Sequence, residues 1–249
     1  MITAKNLTTG YAGKTVLKNL DFSIGEGLTV ILGRNGSGKS TLLRSMAGIH
    51  PLFSGEIRYD GRKPDELKNE ERAKTFSLVL TQKPAMNLQV SEILRSGRYP
   101  YVGRLDLLRK EDENVIENVV RSMKLQDFLQ RNVDELSDGE RQKIMIARAV
   151  IQDTPVMLLD EPVSHLDLPN TAEILVLLKK LAGQGKTLVF STHRLEFVRE
   201  IADQIIVLDN GRAITGKPGE LFDNGTVERV FQNEFLNFEH STGQFKLKI

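Results

Sequence analysis

The run Gly33-Arg34-Asn35-Gly36-Ser37-Gly38-Lys39-Ser40 constrains the fold more than any other stretch of this chain. It follows a short apolar segment, Leu28 to Leu32, and opens a helical pattern that continues to Gly48. Glycines at these intervals let the backbone turn sharply and bring its amide N–H groups up to phosphate oxygens. The helix after the loop aims its positive end at the same point. Lys39 is placed to reach the β- and γ-phosphates of a nucleotide and Ser40 to ligate Mg²⁺, with Thr41 next in the same run. A strand–loop–helix unit of this kind belongs to an α/β fold.

Other short apolar runs read as further buried strands, because each is brief and bounded by breakers. They are Val156 to Leu159, Thr187 to Ser191 and Gln204 to Leu208, the last followed by the hairpin signal Asp209-Asn210-Gly211. Lys5 to Leu7, Asp21 to Ile24 and Glu56 to Tyr59 suggest antiparallel strands, with a turn at Asp60-Gly61. Helical periodicity covers Asn170 to Leu181 and stops near Gly183. Residues 84–150 are charge-rich with helical spacing and no Ser/Gly-rich linker at either edge. The expected organisation is therefore one domain over 1–249, a helical subdomain inserted at about 84–150 and a C-terminal extension at about 226–249.

The strand ending at Leu159 runs into Asp160 and Glu161. Mg²⁺ favours carboxylate together with retained water, which suits Asp160. Glu161 is then the candidate for polarising an attacking water. Further on, Ser137 and Glu140 have the spacing of a capping box that opens a helix.

With Leu136-Ser137-Asp138-Gly139-Glu140-Arg141-Gln142 the chain resembles the ABC ATPases, whose signature is LSGGQ followed by a basic and polar helix. The resemblance covers nearly the whole chain in the family's order. It implies a P-loop NTPase with a RecA-like core, an antiparallel β subdomain and an inserted helical subdomain. Tyr11 falls at the aromatic that stacks on adenine, and Gln82 at the Q-loop, where it would complete the Mg²⁺ shell with Ser40 and Asp160. Ser164-His165-Leu166-Asp167 falls at the D-loop and His193 at the switch histidine that contacts the γ-phosphate. The implied assembly is a head-to-tail homodimer, in which ATP held by Lys39 and Ser40 of one copy is covered by Ser137 and Gly139 of the other. The chain departs from the family at Asp138, which replaces the first glycine of the signature. Aspartate tolerates turns and favours helix N-termini, so the backbone there is expected to be undisturbed.

Within the family, three features resemble the ATPases of importers for iron-siderophore, haem or cobalamin complexes. Gly97-Arg98-Tyr99-Pro100-Tyr101-Val102-Gly103 is similar to their GRxPxxG segment, there is a single nucleotide-binding unit, and the tail from Val227 to Ile249 is similar to their ending. The resemblance implies membrane permease subunits as partners, with a substrate-binding protein acting indirectly. Residues 85–102, with Met86, Leu88, Tyr99 and Tyr101, are expected to receive the permease. No stretch of about 18 apolar residues occurs, so a place on the cytoplasmic side of the inner membrane would be peripheral. A net charge of +1 predicts no polyanion field and hence no nucleic-acid partner, and the absence of cysteine excludes disulfides and thiolate metal sites. The rival readings are a non-transport ABC ATPase acting on ribosomes or DNA, and the ATPase subunit of an exporter.

Overall fold

The computed structural model describes residues 1–80, 87–102, 107–164, 166–239 and 243–248. A three-stranded antiparallel sheet orders as β2-β1-β4, from β1 (Ile2–Tyr11), β2 (Lys14–Ile24) and β4 (Leu52–Tyr59). The central sheet orders as β5-β6-β7-β3-β8-β9. Its strands are β3 (Gly27–Leu32), β5 (Phe76–Val79), β6 (Val156–Asp160), β7 (Thr187–Thr192), β8 (Gln204–Asp209) and β9 (Arg212–Gly216). All neighbours pair parallel except β8 and β9, which form a hairpin. Asn210 and Gly211 both take positive φ at its turn, as a tight hairpin requires.

The central strands are apolar on both faces because both faces are covered. Leu28, Val30 and Leu32 of β3 face one core and Ile31 the other, and β6 splits in the same way, with Met157 and Leu159 against Val156 and Leu158. The second core is closed by Leu42, Leu43 and Met46 of α1 (Lys39–Met46) and by the antiparallel sheet. The first is closed by α5 (Asp138–Gln152) and α6 (Leu168–Ala182), together with the C-terminal elements.

The remaining helices are α2 (Asn69–Thr75), α3 (Val90–Ser96), α4 (Lys110–Ser122), α7 (Val198–Ile201), α8 (Pro218–Asp223) and α9 (Thr226–Phe231). The described residues between 87 and 152 hold α3, α4, α5 and short 3-10 turns. Gly97 ends α3 against α5, where a Cβ would stand 2.7 Å from the Arg148 carbonyl oxygen. Only glycine permits that approach. The next residue, Arg98, donates from Nε to Asp112 Oδ1 at 2.8 Å and from Nη1 to the Ile151 carbonyl at 3.2 Å, while its guanidinium lies 4.0 Å from the Tyr101 ring centroid. Tyr101, expected to face the permease, is thus half-buried as part of this clamp. Tyr99 and Leu88 are exposed, and Met86 lies outside the described residues. At the C-terminal end, β10 (Leu236–Glu239) and β11 (Gln244–Leu247) form a hairpin anchored by Phe238 between Phe222 and Phe245.

Candidate nucleotide site

Parallel pairing in register brings the C-terminal ends of β3, β6 and β7 to one edge: Leu32 lies opposite Thr192, and Asp160 opposite Ser191. The segments leaving these three strands therefore converge. After β3 comes the glycine loop, whose Gly38 caps α1 with φ of 99°, a left-handed conformation. A Cβ at Gly38 would also meet Leu17 and Val16 at 2.9 Å, so both backbone and packing demand glycine. Lys39 opens α1 and folds back over the loop, donating from Nζ to the carbonyl oxygens of Gly33 at 2.9 Å and Arg34 at 3.3 Å. Ser40 and Thr41 continue the first turn, while Asn35 and Gly36 are exposed at the loop tip.

After β6 the chain reaches Asp160, which is buried, and Glu161, which turns out of the strand at φ of 50°. A non-glycine residue in this region is strained and must be held by its surroundings. Here the Glu161 amide donates to the Ser191 carbonyl at 3.1 Å and to Ser191 Oγ at 3.0 Å. The Ser191 hydroxyl in turn donates to Asp160 Oδ1 at 2.6 Å. Ser191 thus fixes both acidic residues. Sequence reasoning passed over it, since a serine at a strand end carries no signal until β7 is known to lie beside β6.

The Glu161 carboxylate lies 3.2 Å from Lys39 Nζ, with the two side chains 13% and 7% exposed. Its other neighbour is His193 Nδ1, at 3.0 Å and 3.1 Å from the two carboxylate oxygens. An ionised carboxylate only accepts, so the imidazole donates. Lys39, Asp160, Glu161 and His193, 154 residues apart in the chain from first to last, form one cluster at the ends of three strands.

Ser137, Gly139 and Asp167 do not join that cluster. They line a separate cleft of about 500 Å³ between α5 and α6. The Ser137 capping box is present: Glu140 N donates to Ser137 Oγ at 3.3 Å, and the Ser137 amide to Glu140 Oε2 at 2.9 Å. The Ser137 hydroxyl, which also donates to Glu140 Oε2 at 2.7 Å, and the Ser137 amide hold the Glu140 carboxyl below its usual range. Asp167 caps α6 by accepting from the Asn170 amide at 3.0 Å. Tyr11 stands exposed at the end of β1. Gln82 and His165 lie outside the described residues.

A glycine loop leaving β3, an acidic pair at the end of β6 and a histidine after β7 are the arrangement of a P-loop nucleotide hydrolase. Comparison with known proteins narrows the class. The chain is 36% identical to the achromobactin transport ATP-binding protein of Dickeya dadantii, over 92% of this chain and 87% of that one. It is 36% identical to the petrobactin import ATP-binding protein of Bacillus subtilis, over 93% and 92%. Its fold matches the dimeric ATP-binding cassette MJ0796 in a post-hydrolysis state bound to ADP and Pi, with a TM-score of 0.76 and 28% identity over 88% of this chain and 99% of that one. The chain belongs to the ABC transporter family, whose model matches residues 17–164. It is an ATP-binding, ATP-hydrolysing subunit of such a transporter. Importer ATPases of this family form dimers and work with membrane permeases. Among the described residues no helix is long and apolar enough to cross a membrane.

Proposed function

We propose that this chain drives import of an iron-siderophore, haem or cobalamin-type complex, and that it hydrolyses ATP at a site completed by a second copy of itself. The convergence of Lys39, Glu161 and His193 carries the catalytic part of this reading. The amides of Gly33 to Thr41 cradle the phosphates, Lys39 offsets the charge of the β- and γ-phosphates, and Tyr11 stacks on adenine. Glu161 accepts a proton from the attacking water. His193 holds the carboxylate through Nδ1, and when protonated on both nitrogens it offers Nε2–H to a γ-phosphate oxygen.

The donors near the loop fit Mg²⁺. Asp160 is a buried carboxylate oriented by Ser191, and Ser40 supplies a hydroxyl in the first turn of α1. Mg²⁺ takes one or two such oxygens and completes its shell with water and phosphate. When bound, it neutralises charge on the phosphate oxygens. Gln82 is the further ligand in this proposal.

The separation of Ser137, Gly139 and Asp167 from Lys39 within one chain supports the head-to-tail dimer, since a second copy would bring that surface over the phosphates. Ser137 and Gly139 open α5, and a helix N-terminus suits an anion. In this reading the single domain carries a helical subdomain at about 84–150 that meets the permease and a C-terminal extension at about 226–249. The subunit sits peripherally on the cytoplasmic side of the inner membrane, and a substrate-binding protein acts through the permease. The names of the achromobactin and petrobactin relatives support the siderophore class of cargo.

The test is Glu161→Gln. ATP is expected to bind, turnover to fall by about 10²–10⁴-fold, and an ATP-dependent dimer to accumulate in sedimentation. Near-normal turnover removes Glu161 from the catalytic role. For the cargo, ATPase activity of the reconstituted transporter is expected to rise with a ferric siderophore on its binding protein. A complex insensitive to every such chelate rejects that class.

A further inference from the structure

The C-terminal hairpin is the part of the chain that the catalytic reading leaves without a purpose. One side of it is spent on its own chain. Phe238 lies between Phe222 and Phe245, with ring centroids 6.4 Å and 4.9 Å away, and Gly243 at the turn packs against the Phe222 ring. The hairpin also walls a cleft of about 330 Å³, where Leu236 and Phe245 face Phe231, Leu195 and His193. Four of these five side chains are apolar, so the cleft suits a hydrocarbon group, and it opens directly beside the switch histidine.

An exposed leucine stands on the same face. Leu168 is the first residue of α6 and is 58% exposed. It is presented rigidly, because Asp167 Oδ1 accepts from the Asn170 amide at 3.0 Å and from Asn170 Nδ2 at 2.7 Å, and Pro169 fixes the backbone of the first turn. Its neighbour Asp167 lines the signature cleft with Ser137 and Gly139, the surface assigned to the other copy.

The leucine and the hairpin cleft are close in one chain. Arg194 lines that cleft, and its Nη1 donates at 3.4 Å to the carbonyl of Val163, in the loop that leads to α6. It also lines a small pocket with Thr171 of α6. In a two-fold dimer, a residue of one copy that meets a second residue of the other is met by its counterpart in return. An axis passing between Leu168 and the cleft therefore brings each leucine to the cleft of the other copy.

We propose that Leu168 of each copy seats in the cleft between the C-terminal hairpin and the His193 segment of the other. The occupant is a second copy of this chain, chosen by apolar fit and by the continuity of the cleft with the surface around His193 that meets the nucleotide. The seated leucines add to closure an apolar contribution that salt does not screen, beside the contacts made through phosphate. This inference rests on the head-to-tail reading above.

The test uses the full chain carrying Glu161→Gln in saturating MgATP, with dimerisation read by sedimentation. Leu168→Ser and Leu236→Ser are each expected to weaken dimerisation about tenfold, and Leu168→Met to stay within about threefold of the parent. The two serines together should cost no more than about threefold beyond either alone, because one contact is lost only once. Losses that simply add in the double variant, or a Leu168→Ser dimer as tight as the parent, overturn the contact. A crosslink between Asn35→Cys and Ser137→Cys chains separates two kinds of failure, and the natural chain has no cysteine to remove first. A crosslink alongside additive losses rejects the seated leucine alone. Absence of the crosslink rejects the head-to-tail arrangement and the leucine contact with it.

Discussion

Replacing Arg98 by methionine should weaken the helical part of the chain far more than a surface substitution does. The methionine keeps most of the apolar volume but removes the guanidinium. Asp112, at 6% side-chain exposure, then loses the 2.8 Å bond to Nε, and the Ile151 carbonyl loses its donor. The Arg109 amide, 3.1 Å from Asp112 Oδ2, is the partner that remains for that oxygen. Breaking a buried pair by removing one partner costs about 3–5 kcal/mol. Protonation of the stranded carboxyl limits the loss to about 3 kcal/mol. For a chain of this length that lowers Tm by roughly 6–12 °C. Arg98→Met combined with Asp112→Leu should recover most of it, short of about 1 kcal/mol for the lost cap on α4. Thermal and urea unfolding followed by circular dichroism measure both variants. A single variant within about 1 kcal/mol of the parent, or a double variant less stable than the single, refutes the reasoning. The pH dependence has a definite sign. Burial opposes ionisation of Asp112, but the bonds from Arg98 and the Arg109 amide outweigh it and hold the carboxyl below its ordinary value of 3.8. The contribution of the pair is therefore whole above that value and is lost as pH falls through the lower folded one. Arg98→Met should flatten this acid-side loss.

Lys39→Ala should abolish nucleotide binding or turnover while the far-ultraviolet spectrum stays that of a folded chain, and unchanged affinity and turnover in a nucleotide titration would reject the phosphate cradle. Leu88→Glu and Tyr99→Glu sit on exposed side chains, so ATP binding by the isolated subunit should be spared while co-purification with the permease and cargo uptake fall. Normal values of both for both variants would place docking elsewhere. Tyr101→Glu should behave differently and destabilise the fold, because that ring lies under the Arg98 guanidinium. A Tm equal to the parent's would refute this.

The sequence by itself determined the local chemistry. Gly38 before Lys39, the Ser137–Glu140 capping box and the Asn210-Gly211 turn are legible because each depends on backbone conformations and bonds within a few residues. The buried strands were legible for a related reason: a strand covered on both faces needs an apolar run through its middle, as Val30 to Leu32, Val156 to Leu159, Leu188 to Phe190 and Ile205 to Leu208 supply. The half-exposed strands were harder to bound. Lys5 to Leu7 and Asp21 to Ile24 mark only parts of β1 and β2, because the antiparallel sheet mixes buried and exposed positions and its register shifts several times. β5 passed unnoticed, being four residues that become a strand only by lying along β6. Tertiary structure alone decided which distant groups meet. Strand order places β7 between β3 and β6, and that order sets the contact of Glu161 with Lys39, its contact with His193 and the position of Ser191 under both acids. It likewise turned Arg98 and Tyr101 from a loop motif into a clamp across α3, α4 and α5. Sequence spacing carries the 3.6- and 2-residue periods of local structure, whereas contacts across more than a hundred residues are set by how sheets and helices bury their apolar faces together.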